Sequence, residues 1–270
     1  MARSFNYVEC DVFTSTPSRG NALAVVLDAE PLTDEEMFAF ARWTNLAETT
    51  FVTAPPDDEA DYAVRIFTPG REMPFAGHPT LGTCKAWLHA GGQPKDPHRI
   101  RQLCGVGVVE IVRDGDDLAF AAPPTTERPM DESMRNRIVD TLSIPLDAIR
   151  ATRELDNGPV WQAFELSSAD DVLALDASRV RWPNFKAIGV FGRHAAGAEC
   201  DYEVRMPLED PITGSLSAAI AHWLQRQGRL NTPLTMAQGQ SIDRDGRIGL
   251  RLAPDQTALV SGEVHIVVTG

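Results

Sequence analysis

The feature that most constrains this chain is that it repeats itself. Asp61-Tyr62-Ala63-Val64-Arg65 returns in the second half as Asp201-Tyr202-Glu203-Val204-Arg205, and both segments alternate as half-buried strands do. His78-Pro79-Thr80-Leu81-Gly82-Thr83 is matched by Asp210-Pro211-Ile212-Thr213-Gly214-Ser215, and each opens a long Ala-rich apolar run. Arg113-Asp114-Gly115 with Ala122-Pro123 is matched by Arg244-Asp245-Gly246 with Ala253-Pro254, strand-like residues flanking an Asp-Gly turn signal each time. Three landmarks in one order read as a tandem duplication. Each unit is expected to hold strands, a Pro-Gly turn, one long helix (about 80–90 and about 214–227) and a hairpin. Turn-forming residues cluster at Pro123-Pro124, which sets domains of 1–122 and 123–270. Strands outnumber helices and connections are short, which predicts an α+β fold in which each sheet curls around a central helix.

A shorter helix fits Thr33 to Trp43, with Thr33 as N-cap and Glu36 completing a capping box. The chain then passes through Asn45-Leu46-Ala47-Glu48 into Thr49-Thr50-Phe51-Val52-Thr53, a strand by its β-branched and aromatic content. Glu48 therefore sits where a connection enters a sheet.

Charge and motif content narrow the chemistry. Lys and Arg total 25 against 38 Asp and Glu, and a net charge of −13 repels phosphate backbones and anionic lipid heads, so neither nucleic acid nor a membrane is an expected partner. No stretch reaches the roughly 18 apolar residues of a membrane span, and the opening residues lack an apolar signal core, so a cytoplasmic protein is expected. Cys10, Cys84, Cys104 and Cys200 form no CxxC or CxxH pair that would suggest zinc and read as reduced structural thiols. Phosphate-loop, HExxH, GxSxG and complete GxGxxG patterns are absent from the sequence.

The paired HPTLGT and DPITGS segments have a plain structural explanation, an N-cap followed by Pro at the first helical position. Their recurrence in both units, each with a Gly and a hydroxyl residue close by, adds a functional one. Equivalent helix N-termini converging on a cleft between two domains would bind a carboxylate and stabilise negative charge developing beside it. Glu48 is the acid/base candidate, its carboxyl expected to be walled by Leu46, Phe51 and Phe75. Asn21, in the Gly20-Asn21 turn, is a candidate ligand contact. Trp87 and Trp223, on the two long helices, are expected in the core.

These blocks resemble a known family. Asp11-Val12-Phe13-Thr14, Gly20 to Val26, Asn45 to Val52, Arg65 to Pro69, Pro74 to Gly82 and Glu209 to Ser215 are similar to the signature blocks of PhzF-like phenazine-biosynthesis isomerases, of diaminopimelate-epimerase-like fold, and the likeness extends to Val260-Ser261-Gly262-Glu263-Val264. The resemblance implies two pseudo-symmetric domains, each a β-barrel-like sheet around a central helix, an active site between them, and a homodimer. It also allows the last strand, 263–270, to cross back to the first domain. It places the acid/base glutamate on Glu48 and other site residues on Gly77, His78, Asp210, Gly214 and Ser215. The implied reaction is a cofactor- and metal-independent isomerisation of a small carboxylate-bearing metabolite, of the trans-2,3-dihydro-3-hydroxyanthranilate type. Glu48 moves the proton, His78 and Asp210 hold or protonate polar groups, and amides near Gly77 and Gly214 hold the carboxylate. Ala47 stands where the family often has Ser, and the approach to Asp210 is shortened, which bears on the substrate. Two-thiol racemisation is disfavoured, because Ala76-Gly77-His78 and Asp210-Pro211 replace the cysteines of related epimerases. Two other readings stay open: a carboxylate-binding protein without turnover, and an epimerase or racemase.

Overall fold

A computed structural model describes residues 4–181, 187–208 and 210–270; Glu209, part of the second motif block, lies outside them. In chain order the elements are β1 (Tyr7–Val12), β2 (Asn21–Val26), α1 (Asp34–Thr44), β3 (Glu48–Thr53), β4 (Tyr62–Phe67), β5 (Glu72–Met73), α2 (Gly77–His89), β6 (Arg99–Cys104), β7 (Gly107–Asp114) and β8 (Asp117–Ala121). They continue as β9 (Thr126–Arg128), α3 (Glu132–Leu142), β10 (Ile149–Asp156), β11 (Val160–Leu166), α4 (Ala169–Leu173), β12 (Ile188–Arg193), β13 (Tyr202–Arg205), α5 (Gly214–Arg226), β14 (Leu234–Gln238), β15 (Gly246–Leu252), β16 (Ala258–Gly262) and β17 (Val264–Thr269). The chain divides into two compact units, Met1–Ala121 with Ser261–Gly270, and Ala122–Val260.

In the first unit β17 pairs antiparallel with β1, β1 antiparallel with β2, β2 parallel with β3, β3 antiparallel with β4, β4 parallel with β6, and β6 antiparallel with β7. The second unit runs through the same alternation from β9 to β10, β11, β12, β13, β14 and β15. Duplication is thus written in the pairing, and a matched detail fixes its register. The Asp61 carboxylate accepts from Arg101 N–H at 2.8 Å in β6, and the Asp201 carboxylate accepts from Thr235 N–H at 2.9 Å in β14.

Helix α2 is the hub of the first unit, touching β1, β2, β3, β6, β8 and β17. Its residues from Gly77 to Cys84 are all buried. Such an approach requires a missing side chain at one point: a Cβ on Gly82 would meet Leu23 Cδ2 at 2.5 Å and Val12 Cγ2 at 3.0 Å. Alternation along β3 sends Thr50 towards α2, where Thr83 donates to its hydroxyl at 2.8 Å, and sends Phe51 the other way, into a cluster with Val26, Ala29, Met37, Ala41 and Phe67 under α1. Helix α1 begins as its sequence dictates, both capping-box bonds between Thr33 and Glu36 being present. In the second unit α3 and α4 cover β11 and β12 through Ile138, Leu142, Phe164, Val172 and Val190.

Three sequence expectations need correcting. The long helices begin at Gly77 and Gly214, so the structural register aligns His78 with Ser215, and the match of the two Pro motifs, His78 with Asp210, is not the structural one. The first-turn bonds confirm this register: Thr80 and Ser217, each three residues after the first helical glycine, bond back to the N-cap carbonyls of Ala76 and Thr213. The N-caps are accordingly Ala76 and Thr213, not His78 and Asp210. The Arg-Asp-Gly matches also fall at unlike places, since Asp114-Gly115 turns β7 into β8 whereas Asp245-Gly246 opens β15. Gly246 is there because a Cβ would strike Ile212 at 2.6 Å, beneath the loop that leads to α5. Finally, Trp223 is 1% exposed and in the core, but Trp87 is half-buried and stacks on Tyr62 at 5.0 Å.

Candidate active site

Parallel pairing of β2 with β3 sets Glu48 opposite Leu23, two residues along from Asn21. The even face of β3 and the odd face of β2 both look onto α2, so Glu48 and Asn21 are delivered to the same end of the helix by alternation alone. That end carries His78, the second helical residue. Its Nε2 lies 3.4 Å from Glu48 Oε2, and its Nδ1 lies 3.4 Å from Asn21 Nδ2. The Nε2 contact does not meet hydrogen-bond geometry, and this buried nitrogen has no hydrogen-bond partner among the described residues. Asn21 and His78 are buried, whereas the Glu48 side chain is 17% exposed. The carboxylate is the most exposed member of the trio.

Burial pushes the His78 imidazole down to about 3, from an ordinary 6.5. Burial thus favours the neutral ring over the imidazolium. The N-cap residue Ala76 makes no side-chain capping bond and Pro79 contributes no N–H, so the Gly77 and His78 amides are the first donors of this helix end. Behind them Gln102 donates to the Thr80 hydroxyl at 3.2 Å and receives from the Tyr62 hydroxyl at 3.0 Å, which fixes the first turns from the β4–β6 side.

Of the walls expected around Glu48, Phe51 is not one, because alternation buries it beneath α1. Phe75 packs edge-on against Phe120 at 5.7 Å, and Leu46 is half-buried.

The second unit holds its own group. Asp210 Oδ2 accepts from the Thr213 hydroxyl at 2.7 Å. Buried Gln238 ties the loop down, accepting from Thr213 N–H at 3.0 Å and donating to the Asp210 carbonyl at 3.1 Å and the Thr213 hydroxyl at 3.0 Å. Gly214 is the first helical residue and is buried; Ser215 follows, its carbonyl accepting from Asn157 Nδ2 at 2.8 Å. Sequence reasoning missed Gln238 and Gln102. Each is a polar residue at a strand position that should be apolar, and that was the available signal.

No thiol is ready for chemistry at either helix start. Cys10 and Cys84 are buried in the first unit, and burial pushes both thiols up to about 12. Among the described residues no group of three His, Cys, Asp or Glu side chains is placed to hold a metal ion. No described helix is long and apolar enough to cross a membrane.

Comparison with known proteins follows the geometry. A sequence profile of the phenazine biosynthesis-like protein family matches residues 10–270. The chain is 31% identical to antisense-enhancing sequence 1 of Schizosaccharomyces pombe, covering 98% of this chain and 97% of that protein. It is 32% identical to the trans-2,3-dihydro-3-hydroxyanthranilate isomerase of Pseudomonas fluorescens, covering 88% and 87%. Among solved structures, the Bacillus anthracis phenazine biosynthesis protein of the PhzF family superposes with a TM-score of 0.83 at 21% identity, over 100% and 99% of the two chains. The α+β, diaminopimelate-epimerase-like fold expected from the sequence is the one found. On the profile and the two sequence relatives together, the chain belongs to the phenazine biosynthesis-like, or PhzF, family.

Proposed function

We propose that the protein is a cofactor- and metal-independent isomerase that moves a proton on a small carboxylate-bearing metabolite, with Glu48 as general acid and base. The observation that carries this reading is the placement of one partly exposed carboxylate against a buried, neutral imidazole at a helix start. A proton carrier needs a carboxylate that a substrate touches and a surrounding that does not neutralise it permanently. A neutral His78 meets the second condition. The Gly77 amide and the helix dipole favour the substrate's carboxylate and the charge that builds beside it as the carbon acid ionises.

His78 and Asp210 are assigned to the substrate's polar groups, and Asn21, Gly214 and Ser215 to its binding, by the family likeness together with the matched helix starts. Relatives named trans-2,3-dihydro-3-hydroxyanthranilate isomerase support the reaction class and make that compound the first to try. A cytoplasmic homodimer belongs to the same proposal, and sedimentation at low salt reads its mass. The test of function is to incubate the protein with that compound and a panel of small unsaturated and hydroxy acids in heavy water. Deuterium appearing at carbon, and disappearing in Glu48→Gln, supports the reading; full exchange in Glu48→Gln with an accepted acid refutes it.

A binding protein without turnover is the second reading, because the same helix start would hold a carboxylate whether or not a proton moves. An acid that raises the melting temperature yet shows no exchange would select it.

A further inference from the structure

The Asn21–His78–Glu48 trio carries information beyond proximity. A neutral imidazole has one N–H and one lone pair, and which nitrogen has which is decided by its neighbours. At Nδ1 the neighbour is the Asn21 amide nitrogen, a donor, which requires a lone pair there. At Nε2 the neighbour is the Glu48 carboxylate, whose negative charge 3.4 Å away favours a proton on that nitrogen even without a formed hydrogen bond. Both contacts select the same tautomer. The reverse tautomer would set Nδ1–H against an N–H and the Nε2 lone pair against a carboxylate oxygen.

Asn21 is itself held from behind. Asp11, 4% exposed, accepts from Arg19 N–H at 2.9 Å and Gly20 N–H at 3.0 Å, which pins the turn entering β2 one residue before Asn21. There is no slack in that turn, because a Cβ on Gly20 would lie 2.4 Å from the Val12 carbonyl oxygen and 2.7 Å from Asp11 Oδ1. The Asn21–Val12 pairing at the end of β1 completes the clamp.

We infer that Asn21, clamped by Asp11, is a positioning residue that fixes His78 as the Nε2–H tautomer, so that the ring presents a donor to Glu48. This rests on Glu48 as proton carrier for its functional meaning, but not for its test. The imidazole dipole then favours the ionised carboxylate, the form that takes a proton from carbon, and offers nothing that competes for that proton. In this positioning role Asn21, and Asp11 behind it, act through His78.

Nitrogen-15 NMR of histidine-labelled protein without any substrate reads this directly, with the His78 signals assigned by their absence in His78→Gln. Wild type is expected to show a protonated, pyrrole-like Nε2 and a bare, pyridine-like Nδ1 at neutral pH. Asn21→Asp sets a carboxylate against each ring nitrogen and is expected to add a proton at Nδ1, giving the doubly protonated ring at neutral pH. Asn21→Leu, which neither donates nor accepts, is expected to lose the single tautomer and give averaged shifts; it keeps the test open if the aspartate variant does not fold. A protonated Nδ1 in wild type, or a wild-type pattern unchanged in both variants, overturns the assignment. Either outcome leaves the role of Glu48 to be judged separately by deuterium exchange.

Discussion

In the first unit the helix gives way where it meets the sheet, and in the second the strand does. Gly82 on α2 makes room for Leu23 and Val12, and its counterpart on α5, counted from the first helical glycine of each, is Ala219. Conversely Thr50 on β3 faces Thr83, whereas the equivalent strand position is Gly189, where a Cβ would lie 2.2 Å from Leu216 Cδ1. Strand register gives the correspondence, since Phe51 pairs with Arg65 as Val190 pairs with Arg205. The same register puts Ala187 where Glu48 stands and Pro159 where Asn21 stands, and the helix register puts Ser215 where His78 stands. The duplicated scaffold is retained in both halves, but the carboxylate, imidazole and amide occur in one. The proposed proton carrier thus has no counterpart in the second unit, which keeps the helix start with a hydroxyl in place of the ring.

The comparison breaks most visibly at Glu48. Glu48→Gln is expected to lower deuterium exchange by about 100-fold or more, the usual contribution of a positioned acid/base, while Ser215→Ala changes it by less than about 10-fold. Equal losses would mean that the halves share the chemistry.

Packing comes next in size. Gly82→Ala and Gly189→Ala each force a methyl into a filled space and should cost about 1–3 kcal/mol by denaturant melts. Ala219→Gly, which only removes a methyl from α5, should cost nearer to about 1 kcal/mol. Finding Gly82→Ala neutral would show that α2 is free to move away from β2.

The halves should also answer oppositely to pH. His78 in the first unit stays unprotonated down to about 3, whereas an unfolded histidine takes its proton near 6.5. The unfolded state binds more protons between these values, so stability falls as pH drops from about 6.5 towards 3, and His78→Gln should flatten that slope. In the second unit burial, opposed by Arg247 and Arg205 and reinforced by Asp245, pushes the Glu203 carboxyl up to about 8 from 4.5. Here the native state holds the extra proton, so stability falls as pH rises from about 4.5 to 8, and Glu203→Gln should flatten that side. Amide exchange resolved by unit would show the two trends separately; a common trend would contradict the paired reading. The smallest effect is expected at the matched aspartates, where Asp61→Asn and Asp201→Asn should each cost about 1 kcal/mol for a weakened charged acceptor.

Much of this was available before any coordinates. The repeat of Asp61–Arg65 at Asp201–Arg205 is a true structural correspondence because an Asp that pins the next strand and a Tyr that enters the core are both needed at that corner. Thr33 with Glu36 set the start of α1 by local capping alone. The Pro motifs misled because Pro marks a first turn without saying which residue of it: Pro79 is inside α2, and Pro211 is outside α5. Phe51 misled because its face depends on strand parity counted from Glu48, which a sequence does not anchor. The contact between Asn21 and His78 joins two distant parts of the first unit through a parallel strand pair and a close helix, and no local pattern encodes it.

Side-by-side exchange in heavy water tests the central claim most directly, using one accepted acid with wild type, Glu48→Gln and Asp210→Asn. The account predicts that carbon-bound deuterium vanishes with Glu48→Gln and persists, at a reduced rate, with Asp210→Asn. Exchange that survives in Glu48→Gln and vanishes in Asp210→Asn would move the proton carrier to the second unit and contradict it.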